Sequence, residues 1–379
     1  MLSMKTNKNY LFALSLAYRT KKAYLQNAIE QEEKEHLHVI GTDGWSLKDR
    51  QEAYCQEVLP YWKRFGVKPK RFWFELNGSR DHRIDPRFIP GDFYFTQLLP
   101  YMNDAIQAPG LTNKAYQEYL FQDVKQPDTV ALKIAGIYCD EKRNIISEDR
   151  AAALCRERGG ELILKPSVGT SGGSGIFVFT PSECSDAYMK KLFCEGGGSF
   201  VIQERIQQHR LLNDLNPSSV STIRVLSLLM DDKVYIESAG LRVSAPGAAY
   251  VSVDDGGFYT EILEDGRLST RVYNNLGKWV DNGNGVFDDS FRIPSMERVY
   301  DLVRRIHPRL GHFRCIGWDF AIASNGDPVM IEFNEFPALG CPQLVRCKPI
   351  FNERTDWILE DYYHHRTWEK NHRQNVLIQ

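Results

Sequence analysis

The sequence lacks a long hydrophobic run, and it also lacks paired cysteines and an excess of either charge. No segment of the 379 residues approaches the roughly 18 apolar residues that a membrane span needs. The eight cysteines form no C-x-x-C pair and have no histidine at zinc-binding spacing, so we expect reduced, mostly buried thiols in a cytoplasmic protein. With 47 Lys and Arg against 49 Asp and Glu, the formal net charge is −2, which argues against wholesale nucleic-acid binding.

Length and composition predict a globular protein of two or three lobes. Hydrophobic residues make up 42% and charged residues 25% of the chain, as in an ordinary globular protein. A chain of 379 residues is longer than a single hydrophobic core usually accommodates. Residues 1–70 have helical spacing, and we interpret the apolar stretch 11–18 as an amphipathic helix, with a membrane-surface anchor as the alternative. Residues 129–147 predict a β-hairpin that turns near 140–143, and from residue 161 onward strands alternate with helices.

A second hairpin is predicted at residues 315–334. Asn325-Gly326 favours a type I′ turn, because that turn needs positive φ at both central residues. With this turn, six apolar residues of the two strands form one continuous face, which supports the register. The pairs are Trp318 with Phe333, Phe320 with Ile331, and Ile322 with Val329.

The same register places acidic side chains on the other face of this hairpin. Asp319 lies opposite Glu332, and Asn334, two residues further on, points the same way. Facing carboxylates repel each other unless a positive charge lies between them, and an oxygen-only cluster of Asp, Glu and Asn suits Mg²⁺ or Mn²⁺. The small neighbours Gly317 and Ala321 favour a recess; the alternative is a solvated acidic face on an exposed hairpin.

The glycine-rich stretch KPSVGTSGGSG, residues 165–175, lies between two short apolar runs. It matches neither the P-loop pattern nor G-x-G-x-x-G, since its lysine precedes the glycines. A flexible hairpin turn is one interpretation. The other is a phosphate-binding lid, because Lys165 at a strand end reaches a phosphate as a point charge and the glycines let the backbone approach. Combined with a magnesium hairpin, the lid indicates a nucleoside triphosphate as ligand.

Several segments occur in the order found in the ATP-grasp superfamily: LILKPSVGTSGGSGI, FVIQERI, STIRVLSLL, GWDFAI and MIEFN. Upstream, DPRFIPGDFYFTQLLPYMND, NKAYQEYLF and PDTVALKIAGIY extend the likeness to roughly residues 60–350. Within the superfamily the sequence resembles the sugar-transfer-associated ATP-grasp group, whose members look to be encoded among bacterial surface-polysaccharide genes. The resemblance implies an α+β ATP-grasp fold, with two α+β lobes that enclose ATP after a mostly helical N-terminal region.

The resemblance also implies a division of the chain and roles for individual residues. The parts are a helical and irregular region at 1–110, a small lobe with the Gly/Ser lid at 111–206, and a large lobe with the metal and acceptor sites at 207–379. The residues implied to bind the nucleotide are Lys114, Lys165, Ser171, Gly172, Gly173, Ser174, Gln203, Glu204 and Ile206. The implied metal ligands are Asp319, Glu332 and Asn334, and the implied catalytic arginines are Arg224 and Arg242. Asn113 departs from the family, which usually has aspartate before this lysine.

The activity implied by the resemblance is that of a ligase that uses ATP and Mg²⁺, with Mn²⁺ as an alternative ion. A carboxylate would attack the γ-phosphate, and an amine would then displace phosphate from the acyl phosphate to give an amide. The implied partners are small-molecule or glycan-linked substrates, and no nucleic acid. Two alternatives stay open: a kinase that phosphorylates a sugar or another hydroxyl, and a non-catalytic nucleotide-binding module.

Overall fold

The structure, a computed structural model, describes residues 4–168, 175–245, 247–248, 257–274, 278–281 and 291–376. Its α-helices are α1 Met4–Ile40, α2 Leu47–Ala53, α3 Leu59–Lys63, α4 Phe72–Gly78, α5 Gly91–Phe93, α6 Leu99–Met102, α7 Ala108–Leu111, α8 Gln117–Leu120, α9 Glu148–Arg158, α10 Asp186–Glu195, α11 Arg210–Asn213, α12 Met296–Ile306, α13 Gly340–Arg346 and α14 Thr355–Val376. Its strands are β1 Thr129–Ile134, β2 Ile137–Asp140, β3 Leu162–Pro166, β4 Phe177–Phe179, β5 Phe200–Glu204, β6 Thr222–Met230, β7 Lys233–Val243, β8 Phe258–Ile262, β9 Leu268–Asn274, β10 Lys278–Asp281, β11 Cys315–Ile322 and β12 Pro328–Asn334.

The chain divides into two compact units. The first unit contains Met1–Met102 and Leu339–Gln379, and the second contains Asn103–Ala338. The C-terminal residues, which the sequence assigned to the large lobe, are thus grouped with the N-terminal helices. The lobe border predicted near residue 206 lies inside the second unit and stays a prediction.

The first unit is helical, in agreement with the predicted helical N-terminal region, and α1 includes the apolar stretch 11–18. Its core is aromatic: Trp62, Trp73, Phe74 and Tyr94 are all buried. None of the described helices is long and apolar enough to cross a membrane.

The second unit contains a smaller antiparallel sheet with strand order β2-β1-β5-β3-β4. Helices α9 and α10 contribute to its core. Ser147 caps α9 by accepting a hydrogen bond from the Arg150 N–H, and Gly159 ends the helix at φ 68°. The first hairpin turns at Ala135-Gly136, where both φ angles are positive, so the turn predicted near 140–143 was wrong. Residues 140–144 form a further turn after β2.

The second unit also contains a larger antiparallel sheet with strand order β10-β9-β8-β7-β6-β11-β12. One face is apolar: Trp318 pairs with Val225, and Phe320 with Ile223, which in turn pairs with Leu241. This face packs in a core with side chains of α12. Ala108, Phe121 and Val124, which precede β1 in the chain, belong to the same core. The residues on either side of Lys114 in the chain therefore pack against the larger sheet, whereas its neighbour Ala115 packs against the smaller sheet.

We call the opposite side of this sheet the polar face. A row of four residues on neighbouring strands lies on it. The row contains Asp319, Arg224, Gly240 and Glu261, on β11, β6, β7 and β8. Side chains alternate between the two faces of a strand, so burial of the apolar side alone determines which residues reach the polar face.

The predicted hairpin at 315–334 is present, but its turn differs from the prediction. The Ala323 N–H donates to the Asp327 carbonyl, so three residues close the loop, and of these Gly326 has a left-handed φ of 84°. An irregularity between Asp319 and Phe320 then leaves Ile331 unpaired. Phe320 consequently pairs with Met330 and Ile322 with Pro328, which corrects the predicted partners Ile331 and Val329.

Candidate active site

Strands β11 and β12 bring the three predicted metal ligands together on the polar face. Asp319 pairs with Glu332, and Gly317 pairs with Asn334, as the hairpin prediction required. Glu332 and Asn334 are two residues apart on one strand, so their side chains share a face. The Asn334 Nδ2 is buried and has no hydrogen-bond partner among the described residues. A buried polar group without a partner marks a place that a ligand or water can complete.

Arg224 on β6 is held rigidly beside these acids. Its Nε donates to Asp319 Oδ1 at 2.5 Å and its Nη2 donates to Oδ2 at 2.7 Å, which is the bidentate arrangement of arginine with a carboxylate. Burial lowers the pKa of Arg224, but the adjacent Asp319 carboxylate outweighs it and holds that pKa above its usual value. The guanidinium is therefore charged, and Asp319 sets its orientation in this structure.

Gly317, in the Gly-Trp-Asp motif, makes room for this arginine. A Cβ at that position would lie 3.3 Å from both Cδ and Nη1 of Arg224, and 3.1 Å from Cβ of Pro337. These separations are tighter than ordinary van der Waals contact, so a larger residue would displace the guanidinium. The glycine of this motif is the sequence signal for the close approach of Arg224. That approach was not predicted from the sequence.

Lys114 reaches the second carboxylate, because its Nζ lies 3.0 Å from Glu332 Oε2. Its backbone N–H donates to the Ser167 carbonyl at 2.9 Å. Asn113 caps the short 3₁₀ turn Lys114–Tyr116 by accepting a hydrogen bond from the Ala115 N–H. Asparagine caps as well as aspartate does, so the departure from the family pattern at Asn113 preserves this turn.

Lys165 lies at the end of β3, where its side chain is buried. Burial lowers the pKa of Lys165 to about 8; Glu332 opposes this shift and Lys114 adds to it. Burial would raise the pKa of Glu332, but Lys114, Lys165 and Arg224 together hold it below its usual range. Three cationic side chains thus surround two carboxylates, which leaves the cluster with one net positive charge near neutral pH.

Ser167 follows this lysine by two residues and was not predicted. Its side chain is fully buried, and its Oγ has no hydrogen-bond partner in the described part of the chain. Its position inside the glycine-rich stretch, two residues after Lys165, is the only sequence signal that points to it.

The remaining predicted residues lie in several places. Glu204 ends β5 with its side chain on Arg158, and Gln203 donates to Thr129 and to the Pro127 carbonyl, so the side chains of these two residues are engaged away from the acids. Ile206 follows β5. The predicted lid residues Ser171, Gly172, Gly173 and Ser174 lie outside the described residues.

Arg242, the second predicted arginine, lies on β7 two residues from Gly240 and pairs with Tyr259 and Thr222. It therefore lies on the polar face, one row beyond Arg224. Gly240 leaves space there: a Cβ would meet the Tyr259 hydroxyl at 2.0 Å. The aromatic ring of Tyr259 thus extends across the polar face to the row that contains Arg224.

The acid cluster fits a divalent cation that is shared with phosphates. In the described part of the chain, no group of three or more His, Cys, Asp and Glu side chains could hold a metal ion by itself. Asp319, Glu332 and Asn334 offer only oxygen atoms as ligands, which suits Mg²⁺. Magnesium in proteins is commonly held by one or two carboxylates, with phosphate oxygens and water in the other positions.

Comparison with known proteins agrees with the fold. The helices and the two antiparallel sheets of the second unit fit the α+β architecture of the ATP-grasp class. The sequence model of the family described as sugar-transfer associated ATP-grasp matches residues 95–356, more than half of the chain. The protein belongs to this family. No curated protein matches the sequence.

Similar solved structures include one synthetase and two ligases. D-alanyl-alanine synthetase A from Vibrio cholerae O1 biovar eltor is 13% identical, with a TM-score of 0.43 over 67% of this chain and 64% of that one. VanG D-Ala:D-Ser ligase from Enterococcus faecalis is 14% identical, with a TM-score of 0.41 over 66% and 61%. D-alanine-D-alanine ligase from Coxiella burnetii is 12% identical, with a TM-score of 0.40 over 71% and 62%. The chain spans less than two thirds of the length of each.

Proposed function

We propose that the protein is an ATP- and Mg²⁺-dependent ligase that joins a carboxylate to an amine. The observation that carries the proposal is the convergence of Lys114, Lys165 and Arg224 on the carboxylates Asp319 and Glu332. Such a cluster, with net positive charge and paired acids, is complementary to a metal-bound polyphosphate. Membership of the ATP-grasp family supports the same ligand.

The residues have distinct roles in this proposal. Lys114 and Lys165 bind phosphate oxygens as point charges, and Arg224 stabilises the charge that develops on the transferred phosphoryl group. Asp319, Glu332 and Asn334 would hold the cation, which neutralises phosphate charge when bound. Residues 171–174 would contact the phosphates, and the backbone of 203–206 would bind adenine.

The reaction proceeds by two displacements. First, an oxygen of the substrate carboxylate forms a bond to the γ-phosphorus while the bond from phosphorus to the ADP oxygen breaks. Then the amine nitrogen forms a bond to the acyl carbon, phosphate leaves with the electrons of the acyl–oxygen bond, and the nitrogen loses a proton. The protein contributes positioning and charge neutralisation, and no covalent enzyme intermediate is required.

The second arginine and the polar face extend this proposal to the acceptor. Arg242 lies one row from Arg224 on neighbouring strands, where it would bind the substrate carboxylate. The substrates that we propose are small or glycan-linked acids and amines in bacterial surface-polysaccharide biosynthesis, and we place the reaction in the cytoplasm.

Glu332→Gln tests the assignment of the site. We expect loss of ATP turnover with an unchanged circular dichroism spectrum, because the substitution removes a charge without changing the shape of the side chain, and a lower thermal unfolding midpoint, because Lys114 loses its ion-pair partner. Glu335→Gln, which makes the same change three residues away, is the control and should remain active. Full activity of Glu332→Gln would show that the metal assignment is wrong.

Product analysis tests the reaction class. The protein is incubated with MgATP and pooled carboxylates and amines, and we expect phosphate release that depends on both substrate classes. A stable phosphorylated hydroxyl would establish the kinase instead. Binding of MgATP without turnover across the whole pool would favour the non-catalytic module.

A further inference from the structure

The groups proposed to bind nucleotide and metal are paired with one another within the protein. Lys114 forms an ion pair with Glu332, and their side chains are 14% and 26% exposed. Arg224 forms the bidentate pair with Asp319, and their side chains are 10% and 6% exposed. Each pair thus joins one group that would contact phosphate to one that would contact the cation. Lys165, by contrast, forms no ion pair with the described residues.

Separating such a pair is unfavourable unless both members find new partners. A carboxylate or ammonium that stays largely out of water without a counter-charge is strongly destabilised, and breaking a buried pair at one side leaves that charge uncompensated. If Lys114 turns to a phosphate alone, Glu332 is left unpaired beside the incoming negative charge. If Glu332 turns to a cation alone, Lys114 is left unpaired beside a second positive charge. Both can turn together at little cost.

We infer that the Lys114–Glu332 and Arg224–Asp319 ion pairs make this site selective for metal-bound over metal-free nucleotide. The inference rests on the proposed function. The two pairs exchange partners as a unit: the acids turn to the cation while Lys114 and Arg224 turn to the phosphates. Since binding free energies are reciprocally linked, nucleotide should strengthen cation binding by the same factor by which the cation strengthens nucleotide binding.

The experiment compares the affinity of the full chain for the non-hydrolysable analogue AMP-PNP in excess Mg²⁺ and in excess EDTA, by isothermal titration calorimetry. We expect the wild type to prefer the magnesium complex at least 100-fold. Glu332→Gln should bind the metal-free analogue at least tenfold more tightly than the wild type and the magnesium complex more weakly, because Lys114 no longer has a partner to leave. Asp319→Asn, at the second pair, should change in the same direction.

Two controls separate partner exchange from a general change in charge. Glu335→Gln removes one negative charge from the same strand end and should not gain affinity for metal-free AMP-PNP. Lys165→Met removes an unpaired cation and should weaken both forms by similar factors. The gain from Glu332→Gln should disappear when it is combined with Lys114→Met, which makes a double-mutant cycle.

The outcomes distinguish this inference from the proposed function. Failure of the wild type to bind AMP-PNP in either condition would sink the proposed function itself. Equal binding of the two forms by the wild type would sink only the inference. The inference is also overturned if folded Glu332→Gln and Asp319→Asn fail to gain affinity for the metal-free analogue, or if Glu335→Gln gains as much as they do.

Discussion

Lowering the pH from about 7 to about 5 should destabilise the fold through one residue, His307, which is fully buried. Its Nε2 lies 2.9 Å from the Phe313 carbonyl, which can only accept, so Nε2 carries the hydrogen. Nδ1 is therefore an acceptor and receives the Ser227 hydroxyl at 2.7 Å, while the Ser227 oxygen accepts from the indole N–H of Trp318 at 2.8 Å. A second proton on the ring would break this chain of bonds.

The size of the effect follows from the pKa of His307. Burial lowers that pKa from 6.5 to about 4, so below pH 6.5 the unfolded chain binds the proton and the folded protein does not. The stability contributed by the neutral ring is fully present above pH 6.5 and is lost progressively as the pH falls from 6.5 to 4. Between pH 7 and pH 5 linkage predicts a loss of about 2 kcal/mol from this residue.

Urea unfolding at the two pH values, in the wild type and in His307→Gln, measures this contribution. Glutamine can donate to the Phe313 carbonyl but cannot titrate, so the variant should be less stable near neutral pH and should lose about 2 kcal/mol less on acidification. All other titrating groups contribute equally to both proteins and cancel in the comparison. If the wild type and His307→Gln lose the same free energy between the two pH values, the reasoning is refuted.

Two further predictions concern glycines on the polar face. Gly240→Ala should destabilise the protein by about 3 kcal/mol in thermal unfolding, because its Cβ would lie 2.0 Å from the hydroxyl of the buried Tyr259; Gly198→Ala, whose Cβ meets no atom within 4 Å, should be nearly neutral. Gly317→Ala should cost about 1–2 kcal/mol of stability and should weaken binding of magnesium-bound AMP-PNP about tenfold, because its Cβ displaces Arg224. Unchanged affinity of Gly317→Ala would contradict the role of that glycine.

The hairpin of β11 and β12 shows that a sequence prediction can give the correct residue pair although the predicted turn is wrong. Asp319 does pair with Glu332, but the real loop has one more residue than the predicted turn, and Ile331 is left unpaired further along. These two one-residue shifts cancel at the acids. Phe320 lies between the loop and this irregularity, and its partner is Met330. Met330 and Ile331 are successive apolar residues, and the sequence does not tell which of them occupies the core position opposite Phe320.

The cation cluster is a different case. Lys165 was predicted from its position at a strand end, and Lys114 and Arg224 were predicted from the resemblance to the family, but the ion-pair partners of Lys114 and Arg224 were not. Arg224 and Asp319 are 95 residues apart in the chain, and their bidentate contact exists because β6 lies directly beside β11. Nothing in the local pattern of either strand specifies that neighbour.

The sequence by itself determined the helical N-terminal region, the late hairpin and the alternation that puts its acids on one side, because turn chemistry and the two-residue period of a strand act over a few positions. Only the tertiary structure decided which cation meets which acid. That choice depends on strand order, and strand order is set by burial of one continuous apolar face across the larger sheet, to which residues from many parts of the chain contribute at once.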